Sequence, residues 1–309
     1  MYKLTQTQLF TVADRAAEAL FRYCEKFGIH YVVTGSSGGL DSAVTLGLAQ
    51  IACKKAKDAG FQLTSVGLIL PCESNPDAER LGREAIQKFG AEELKIDLTS
   101  VFQQIDSMHL LGNNLQIKQL LKRTGGEAAI AEWDWSDKIA KGNIKARLRM
   151  MLGTYHVARM IKGIVLSTDN LSEFWMAFWT ICGDVGDYGM IQQLLKGLEL
   201  SELAIYLGVP EEIVAAKPDD GLAIAGGDED QLGAAYPVID QIMIKLVQSG
   251  FDPDGEMDQL DSLPQISGFD QDLVHGLARR ALIGSYKRKG TVILSRTYLG
   301  LPEVDELNL

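Results

Sequence analysis

Cysteine and histidine are scarce in this sequence, with four of each among 309 residues. The cysteines lie far apart, none forms a C-x-x-C pair, and no histidine stands near them at metal-ligand spacing; they are Cys24, Cys53, Cys72 and Cys182. This distribution argues against a disulfide framework and against a structural zinc site. It is typical of proteins from a reducing compartment, so we predict a cytoplasmic protein.

The sequence also lacks a long apolar run and an excess of positive charge. No segment approaches the roughly 18 apolar residues of a membrane-spanning helix. Residues 1–26 mix acids and bases in an amphipathic pattern, unlike a signal or transit peptide. Lysine and arginine number 30 against 41 aspartates and glutamates, a net charge of −11. Because nucleic-acid binders normally present a basic surface, we expect neither a nucleic-acid nor a membrane partner.

What the sequence does contain is a regular alternation of strand-like and helix-like segments. Short apolar runs predict strands at 30–34, 64–70, 93–98 and 163–167. Other patterns predict helices at 6–26, 41–57, 76–89, 144–162, 237–248 and 270–287. This rhythm is typical of right-handed crossovers between parallel strands. It predicts an α/β fold with a doubly wound, mostly parallel sheet and helices on both faces.

Three stretches are less regular, and none resembles a domain linker. Residues 113–142 predict helix fragments and a loop, 217–233 a mobile loop rich in aspartate, glycine and alanine, and 251–267 a series of turns. No internal repeat is evident in the sequence. We therefore predict a single domain over residues 1–309.

A loop rich in glycine and serine, T-G-S-S-G-G-L-D-S at 34–42, joins the first predicted strand to its helix. In an open α/β sheet, ligands bind at the carboxyl ends of the strands. Glycine and serine residues let backbone N–H groups turn toward an anion, and the helix N-terminus adds partial positive charge. The loop is not a Walker A sequence, because no lysine follows its last glycine, and its glycine spacing differs from the dinucleotide fingerprint. These features predict a pyrophosphate site.

Asp41 is the informative residue of this loop. A carboxylate beside a phosphate site would repel the phosphate unless a metal lies between them, so Asp41 is a candidate Mg2+ ligand. The alternative is that Asp41 only caps the helix, as aspartate commonly does. The residues of the loop alone leave both interpretations open.

The segment Ser37-Gly38-Gly39-Leu40-Asp41-Ser42 resembles the pyrophosphate loop of the N-type ATP pyrophosphatases, which activate a carboxyl or carbonyl oxygen by adenylation. Further blocks resemble one family of that superfamily, the NAD synthetases. They are G-N-I-K-A-R-L-R-M at 142–150, L-S-T-D-N-L-S-E at 166–173, the stretches 183–196 and 203–213, D-E-D-Q-L-G at 228–233 with Tyr236 and Ile239-Asp240, and Tyr286-Lys287-Arg288. In order, they cover most of residues 10–290. The resemblance implies an adenine nucleotide alpha hydrolase-like fold.

The resemblance also implies a two-step amidation. ATP would adenylate the nicotinate carboxylate of nicotinic acid adenine dinucleotide, pyrophosphate would leave, and ammonia would attack the acyl-adenylate to give NAD. Mg2+ and cationic side chains would stabilise the developing charge. A homodimer built partly on the helix at 144–162 is implied as well. None of the four cysteines has the setting of a glutaminase nucleophile, so we expect no glutaminase domain, with ammonia free or supplied by another protein.

Carried over position by position, the resemblance assigns four groups of residues. The ATP-binding residues would be Gly35, Ser36, Ser37, Gly38, Gly39, Asp41, Ser42, Thr168 and Lys196. The Mg2+ ligands would be Asp41 and Glu173, and the catalytic residues Asp184, beside ammonia, and Lys196, beside the phosphates. The acid substrate would contact Asn143, Arg147, Asp187 and Lys287. By residue type alone, these would be solvated helix side chains and ordinary turn aspartates.

Four positions depart from the family pattern. Ile69 stands where the family usually has an ATP-contacting arginine, Ile181 where a lysine faces the dinucleotide, Asp219-Asp220 where a small hydroxyl residue meets ATP, and Tyr286 in place of a common histidine. Lost cations and an added anion would weaken binding of an anionic substrate, whereas the Mg2+ and pyrophosphate residues remain. The alternative function is therefore a divergent adenylating amide ligase acting on a different carboxylate. A third possibility, a catalytically silent nucleotide-binding protein, is disfavoured by the retention of Asp41, Glu173 and Lys196.

Overall fold

A computed structural model describes residues 2–108, 115–219, 221 and 227–301. At its centre is a parallel sheet with the strand order β3-β2-β1-β4-β5. The strands are β1 (Tyr31–Gly35), β2 (Thr64–Ile69), β3 (Glu92–Lys95), β4 (Ile164–Ser167) and β5 (Tyr188–Gly189). The central strand β1 pairs with β2 on one side and β4 on the other, and Val33 lies opposite Val66 and Val165. The chain order reverses between β1 and β4, which is where open α/β sheets bind ligands.

Helices connect and cover these strands. They are α1 (Gln6–Phe27), α2 (Leu40–Asp58), α3 (Pro76–Phe89), α4 (Thr99–Ser107), α5 (Leu115–Ala131), α6 (Trp133–Leu148), α7 (Tyr155–Met160), α8 (Leu171–Trp175), α9 (Ser201–Leu207), α10 (Glu211–Ala215), α11 (Asp228–Leu232), α12 (Tyr236–Gln248), α13 (Gln271–Ile283) and α14 (Ser285–Arg288). Wider π-helical turns occur at Arg149–Thr154 and Lys196–Leu200, and a 3-10 helix at Met257–Ser262. Each helix in the described residues is too short or too polar to span a lipid bilayer.

Both faces of the sheet are buried, because neighbouring residues of β1 point into different cores. Val32 packs in a cluster with α1 and the second half of α2. Val33 packs on the opposite face with Met150, Val157 and Ala158. Alternation of side chains along a strand accounts for this division. The predicted doubly wound sheet is confirmed, and a separate core joins α12 and α13 to the residues that follow α8.

The structure confirms the predicted strands at 30–34, 64–70 and 163–167 to within a residue or two at their ends. The third strand is shorter than predicted and ends at Lys95. Beyond it, single backbone bonds from Ile96 to Ile69 (3.0 Å) and from Leu98 to Pro71 (2.8 Å) continue the direction of the chain. A fifth strand, β5, was not predicted because two residues carry no readable pattern.

Three predictions for the less regular regions need correction. Residues 113–142 were predicted as helix fragments and a loop, whereas α5 and α6 cover residues 115–131 and 133–148, and α5 bends at Gly126, whose φ is 68°. The predicted loop at 217–233 contains α11, and its residues 220 and 222–226 lie outside the described part of the chain, as do residues 113 and 114. The predicted helix at 270–287 is two helices, α13 and α14, separated at Gly284.

Candidate active site

The glycine-rich loop follows β1 and leads into α2. Its backbone turns at Gly38, whose φ of 85° is a left-handed conformation that favours glycine. A Cβ atom at Gly38 would lie 2.4 Å from the carbonyl oxygen of Ala78, so α3 leaves no room for a side chain. Ser36 anchors the loop, because its N–H donates to the carbonyl of Leu68 (2.8 Å) and its hydroxyl to that of Gly82 (2.9 Å). The loop is thus fixed by β2 and α3.

Small residues also shape the start of α2. Gly35 ends β1, and Gly39 is the N-cap residue of the helix. The N–H of Gly39 donates to the hydroxyl of Ser37 (3.2 Å), and the hydroxyl of Ser42 donates to the carbonyl of Gly39 (3.0 Å). Asp41 lies inside the first turn and does not cap the helix, so the capping interpretation is wrong. Its carboxylate is available for a different contact.

That contact is with Lys196, the first residue of the π-helical turn at Lys196–Leu200. The Lys196 ammonium lies 3.0 Å from Oδ2 of Asp41, 2.7 Å from Oε1 of Glu173 and 3.5 Å from Oδ2 of Asp228. The lysine side chain is 8% exposed, and the carboxylates range from 5% to 16%. Asp41, in the first turn of the helix after β1, and Glu173, in the first turn of the helix after β4, therefore face the same point. We call these four residues the carboxylate–lysine cluster.

Two neighbouring side chains orient the cluster. The Asn170 side chain donates to Oδ1 of Asp41 (3.1 Å) and accepts from the N–H of Glu173 (3.0 Å). The Glu173 carboxylate accepts in turn from the N–H of Asn170 (3.3 Å), which completes a capping box at the start of α8. The Tyr236 hydroxyl reaches Glu173 (3.5 Å), and its ring centroid lies 4.5 Å from the Lys196 ammonium.

Burial and charge compete within the cluster. Burial acts to lower the pKa of Lys196, but the charges of Asp41 and Glu173 outweigh it and hold the pKa well above its ordinary value. Burial raises the pKa of Glu173, and Lys196 opposes this rise. The lysine is therefore protonated near neutral pH.

The carboxylates of Asp41 and Glu173 are potential ligands for a metal ion. Among the described residues, no group of three or more histidine, cysteine, aspartate or glutamate side chains is arranged to hold one. Mg2+ usually takes only one or two protein carboxylates and completes its shell with water and substrate phosphates. Asp41 and Glu173 are two oxygen donors facing one point beside a glycine-rich loop, and this arrangement fits Mg2+ bound together with a nucleotide.

The end of β4 adds two residues to this region. Thr168, the predicted ATP contact, is partly exposed directly after the strand. Asp169 is 4% exposed and accepts a bond from Gln192 (3.4 Å). Burial and the charge of Asp184 raise the pKa of Asp169 to about 7. This buried acid lies between the carboxylate–lysine cluster and the segment that follows α8.

Thr180 connects two of the residues predicted to serve ammonia and the acid substrate. Its N–H donates to Oδ2 of Asp184 (2.5 Å), and its hydroxyl donates to Oδ1 of Asn143 (2.6 Å). Helix α6 is thereby tied to the segment between α8 and β5. The predicted roles of Asp184 and Asn143 stay predictions, and the structure places the two residues on either side of one threonine.

Asp187 uses both carboxylate oxygens within the fold. Oδ1 accepts from the hydroxyl of Tyr155 (2.7 Å), and Oδ2 accepts from the N–H of Val165 (2.9 Å). The N–H of Asp187 donates back to the carbonyl of Val165 (2.7 Å). These bonds hold the entry to β5 against β4 and α7. Any contact of Asp187 with substrate would compete with them.

Lys287 also contacts the protein backbone. Its ammonium donates to the carbonyls of Ala177 (2.6 Å) and Trp179. Burial lowers its pKa to about 8, although Asp184 opposes this effect. Arg280 and Arg288 donate to further carbonyls of the same segment, those of Phe174, Trp175 and Met176. We call these three cations and the carbonyls of 174–179 the carbonyl clamp.

The unusual positions lie in four different environments. Ile69 is buried at the end of β2, where it packs with α2 and α3. Ile181 is 42% exposed, and its carbonyl accepts from the guanidinium of Arg147 (3.2 Å). Asp219 accepts from the N–H of Gly221 (2.9 Å) in a turn, and its neighbour at 220 lies outside the described residues. Tyr286 is 61% exposed.

Several residues of the site were not identified from the sequence. Asp228 is a member of the carboxylate–lysine cluster, Asn170 and Tyr236 contact it, and each of the three lies within a block that carried the family resemblance. Their positions in D-N-L-S-E and D-E-D-Q-L-G were visible, but a sequence pattern does not show which members of a block meet across the fold. The buried acid Asp240 was likewise part of a block without an assigned role.

Comparison with known proteins agrees with this geometry. The family model described as NAD synthase matches residues 12–289. An NH(3)-dependent NAD(+) synthetase from Methanosarcina mazei is 30% identical over 85% of this chain and 89% of its own length. A second NH(3)-dependent NAD(+) synthetase, from Syntrophomonas wolfei, is 37% identical over 69% of this chain and 75% of its own length. These relatives are carbon–nitrogen ligases.

A solved structure shares the same architecture. The NMN synthetase from Francisella tularensis superposes with a TM-score of 0.65, is 25% identical, and covers 93% of this chain and 98% of its own. The family assignment rests on the match over residues 12–289, and it agrees with the sheet order and with the glycine-rich loop after β1. The chain belongs to the NAD synthase family.

Proposed function

We propose that the protein is an ammonia-dependent NAD synthetase. ATP adenylates the nicotinate carboxylate of nicotinic acid adenine dinucleotide, and the bond between the α- and β-phosphates breaks as pyrophosphate leaves. Ammonia then attacks the acyl carbon, and AMP leaves as NAD forms. The observation that carries this proposal is the carboxylate–lysine cluster beside the glycine-rich loop, in a chain of the NAD synthase family.

The nucleotide would bind at the switch point between β1 and β4. Backbone N–H groups of the loop at 35–39 and the first turn of α2 suit the β- and γ-phosphates. Thr168 would contact ATP from the end of β4. Each charge-assisted hydrogen bond contributes roughly 1.5–3 kcal/mol, so a few of them can hold a pyrophosphate.

Asp41 and Glu173 would hold Mg2+ when ATP binds. The ion would supply positive charge to the phosphate oxygens as negative charge develops on them. Lys196 already spans both carboxylates, so its ammonium would shift toward the phosphates while the ion neutralises the acids. The same residues would then stabilise both the bound triphosphate and the leaving pyrophosphate.

The acid substrate and ammonia would lie toward α6 and the segment between α8 and β5. Asp184 would orient ammonia or accept its proton, and Asn143, Arg147, Asp187 and Lys287 would contact the dinucleotide. The positions of Asp184 and Asn143 on either side of Thr180 support a shared role at this end of the site. We further propose a cytoplasmic homodimer of single-domain chains that takes ammonia either free or from another protein.

A second candidate has specific support. The Francisella tularensis protein of the same fold is an NMN synthetase, at 25% identity over nearly the whole chain. Ile181 is exposed where the family commonly has a lysine that faces the dinucleotide. This chain would then amidate nicotinic acid mononucleotide by the same adenylation chemistry. The shared chemistry predicts that the two candidates differ only in the acid that is bound.

One assay separates the candidates. Purified protein is incubated with ATP, Mg2+ and ammonium, together with either the dinucleotide or the mononucleotide acid, and pyrophosphate and the amide product are quantified. Turnover at least tenfold more efficient on the dinucleotide supports the first proposal, and the reverse preference supports the second. Asp41→Asn should abolish turnover, whereas Lys57→Met, at an exposed position late in α2, should not alter it. Failure on both acids with folded protein would refute both.

A further inference from the structure

Asp240 is a fully buried acid that the proposed chemistry does not use directly. It lies in the second turn of α12, and both of its oxygens accept hydrogen bonds. One oxygen accepts from the hydroxyl of Ser172, and the other accepts from the N–H of Gly197 (2.8 Å). These two partners belong to segments that are distant in sequence. The carboxylate therefore joins α8 to the turn that begins at Lys196.

Ser172 extends this connection. While its hydroxyl donates to Asp240, the same oxygen accepts from the N–H of Lys196 (2.8 Å). Ser172 immediately precedes Glu173, and Gly197 immediately follows Lys196. Glu173 and Lys196, which meet in the carboxylate–lysine cluster, are thus each next to a hydrogen-bond partner of Asp240.

The packing of α12 gives a second, independent indication. A Cβ atom at Gly197 would lie 2.3 Å from the backbone nitrogen of Pro237, so the first turn of α12 rests directly on the Gly197 backbone. Tyr236, on the same turn, extends its hydroxyl to Glu173 (3.5 Å) and Asp228 (3.4 Å). Helix α12 therefore approaches the cluster through backbone contact, a tyrosine and a carboxylate.

We propose that Asp240 is a positioning residue for Lys196 and Glu173. By bonding Ser172 and Gly197 together, it sets the distance between the ammonium and the carboxylate that act on the nucleotide phosphates. This inference rests on the proposed adenylation for its kinetic consequence, but not for its structural one. Partners that orient primary ligands in this way typically change activity 10- to 100-fold when they are removed.

The hydrogen bonds of Asp240 require an acceptor at both oxygens. Burial raises its pKa to about 6, while the bonds from Ser172 and Gly197 act to lower it and Glu199 acts to raise it. The group is therefore ionised near pH 8. An asparagine of the same shape would present N–H groups where one of the two donors now points, and a donor facing a donor breaks the bridge.

The kinetic test compares four variants with the wild type at pH 8. Asp240→Asn, Ser172→Ala and the double variant should each lower kcat for pyrophosphate release about 10- to 100-fold, with KM for the acid substrate changed less than about threefold. Because Asp240 and Ser172 act as one unit, kcat of the double variant should be no lower than kcat of the less active single variant. Gln241→Ala, at the adjacent exposed position of α12, should match the wild type.

Chemical labelling provides a readout that does not depend on turnover. Acetylation followed by peptide mass spectrometry reports the reactivity of Lys196, with exposed Lys57 as an internal reference. Asp240→Asn and Ser172→Ala should increase labelling of Lys196 at least about threefold relative to Lys57. A general loosening of the fold would instead raise the labelling of buried Lys145 to a similar extent, and that result would overturn a positioning role.

The outcomes are separable. Wild-type protein without turnover on either acid refutes the proposed function, and the labelling comparison then decides the role of Asp240 alone. If the wild type is active and both single variants keep its kcat and its Lys196 labelling, the inference is wrong. Should Asp240→Asn fail to fold, Ser172→Ala provides the same test. It removes the hydroxyl that connects Asp240 to the N–H of Lys196, and it leaves the carboxylate bonded to Gly197.

Discussion

Two parts of the candidate site are built differently. The nucleotide part comprises the loop at 35–42, Thr168, Asn170, Glu173, Lys196 and Asp228. The acid part comprises Asn143, Arg147, Lys287 and the segment 180–187. In the nucleotide part, contacts join elements that are distant in the chain, and Asp41 and Glu173 converge on one ammonium. In the acid part, the predicted residues bond to backbone groups and to uncharged side chains of the protein.

This difference suggests how each part would meet its ligand. In the nucleotide part, Asp41 and Glu173 already face one point, so binding of phosphate with Mg2+ would mainly require the Lys196 ammonium to shift. In the acid part, a substrate that reaches Asp187 must replace a bond from Tyr155, and one that reaches Lys287 must compete with two carbonyls. Such competition reduces net affinity, because each new bond is offset by one that is lost. The acid part is therefore where specificity can change without loss of adenylation.

The largest effect is expected where the nucleotide part depends on a single cation. Lys196→Met would leave three buried carboxylates facing one another. We expect the free energy of unfolding to fall by about 3 kcal/mol or more. Turnover should fall about 1000-fold, equivalent to about 4 kcal/mol. Urea unfolding and pyrophosphate release measure the two quantities, with Lys57→Met as the exposed control. If the Lys196→Met protein keeps wild-type stability and turnover, the nucleotide part does not depend on this cation.

A second test concerns the turn of the glycine-rich loop. Gly38→Ala introduces a Cβ 2.4 Å from a backbone oxygen at a φ of 85°, so the loop must move. We expect ATP to bind about 100-fold more weakly, equivalent to about 3 kcal/mol. Gly60→Ala is the matched control, because Gly60 has a φ of 79° in open space and should cost about 1 kcal/mol of stability without affecting ATP. Equal ATP affinity of the Gly38→Ala and Gly60→Ala proteins would show that the glycine-rich loop does not bind phosphate.

Asp169 lies between the two parts and gives a pH-dependent test. Its pKa is raised from 3.8 to about 7, so the folded protein holds the proton more tightly than the unfolded chain. The stability from this proton is fully present below about pH 4 and is lost as the pH rises through 7. Relative to Asp169→Asn, the wild type should lose about 3 kcal/mol between pH 4 and pH 7.

Urea titrations of both proteins at several pH values measure this difference, because shared acid effects cancel in the comparison. A constant difference across that range would mean that Asp169 ionises as it does in the unfolded chain. The two parts would then lack the buried electrostatic link that joins Asp169 to Asp41 and Asp184.

The smallest effect is expected in the acid part. Ile181→Lys would restore a cation at an exposed position beside Arg147. Exposed charges contribute roughly 0.2–1 kcal/mol, so KM for the dinucleotide acid should fall no more than about fivefold, with KM for ATP unchanged. Ile205→Lys, an equally simple change on exposed α9, controls for total charge. An equal decrease of KM in both variants would show that total charge causes the effect and that position 181 does not contact the acid substrate.

The sequence was most informative where one short segment determines its own structure. The β-branched run at Tyr31–Gly35 and the glycine loop after it predicted a strand end and a phosphate site from local pattern alone. Position 38 requires glycine for a reason that only the fold reveals, the carbonyl of Ala78. The placement of Asp228 and Tyr236 beside Lys196 depends on how α11 and α12 pack, and no local pattern contains that information.

Helical regions show a similar limit. Residues 113–142 predict helix fragments and a loop because Gly125-Gly126 lies in a stretch without clear periodicity, yet residues 115–131 and 133–148 are helical, with a bend at Gly126. Strand β5 has only two residues and exists because Asp187 bonds β4. For β5, a tertiary contact outweighs local preference. The roles assigned to Asn143, Arg147, Asp187 and Lys287 are likewise carried by resemblance, because their observed bonds are to the protein itself.

The carbonyl clamp behaves unlike the ion pairs found elsewhere on the protein when acidity changes. Main-chain carbonyls do not take up protons in the range where carboxylates do, so acid leaves the hold of Arg280, Lys287 and Arg288 on residues 174–179 intact. Alkali is different, because Lys287, with a pKa lowered to about 8, becomes a neutral amine while both arginines stay charged. The carbonyl clamp on residues 174–179 therefore tolerates acid and loosens in base.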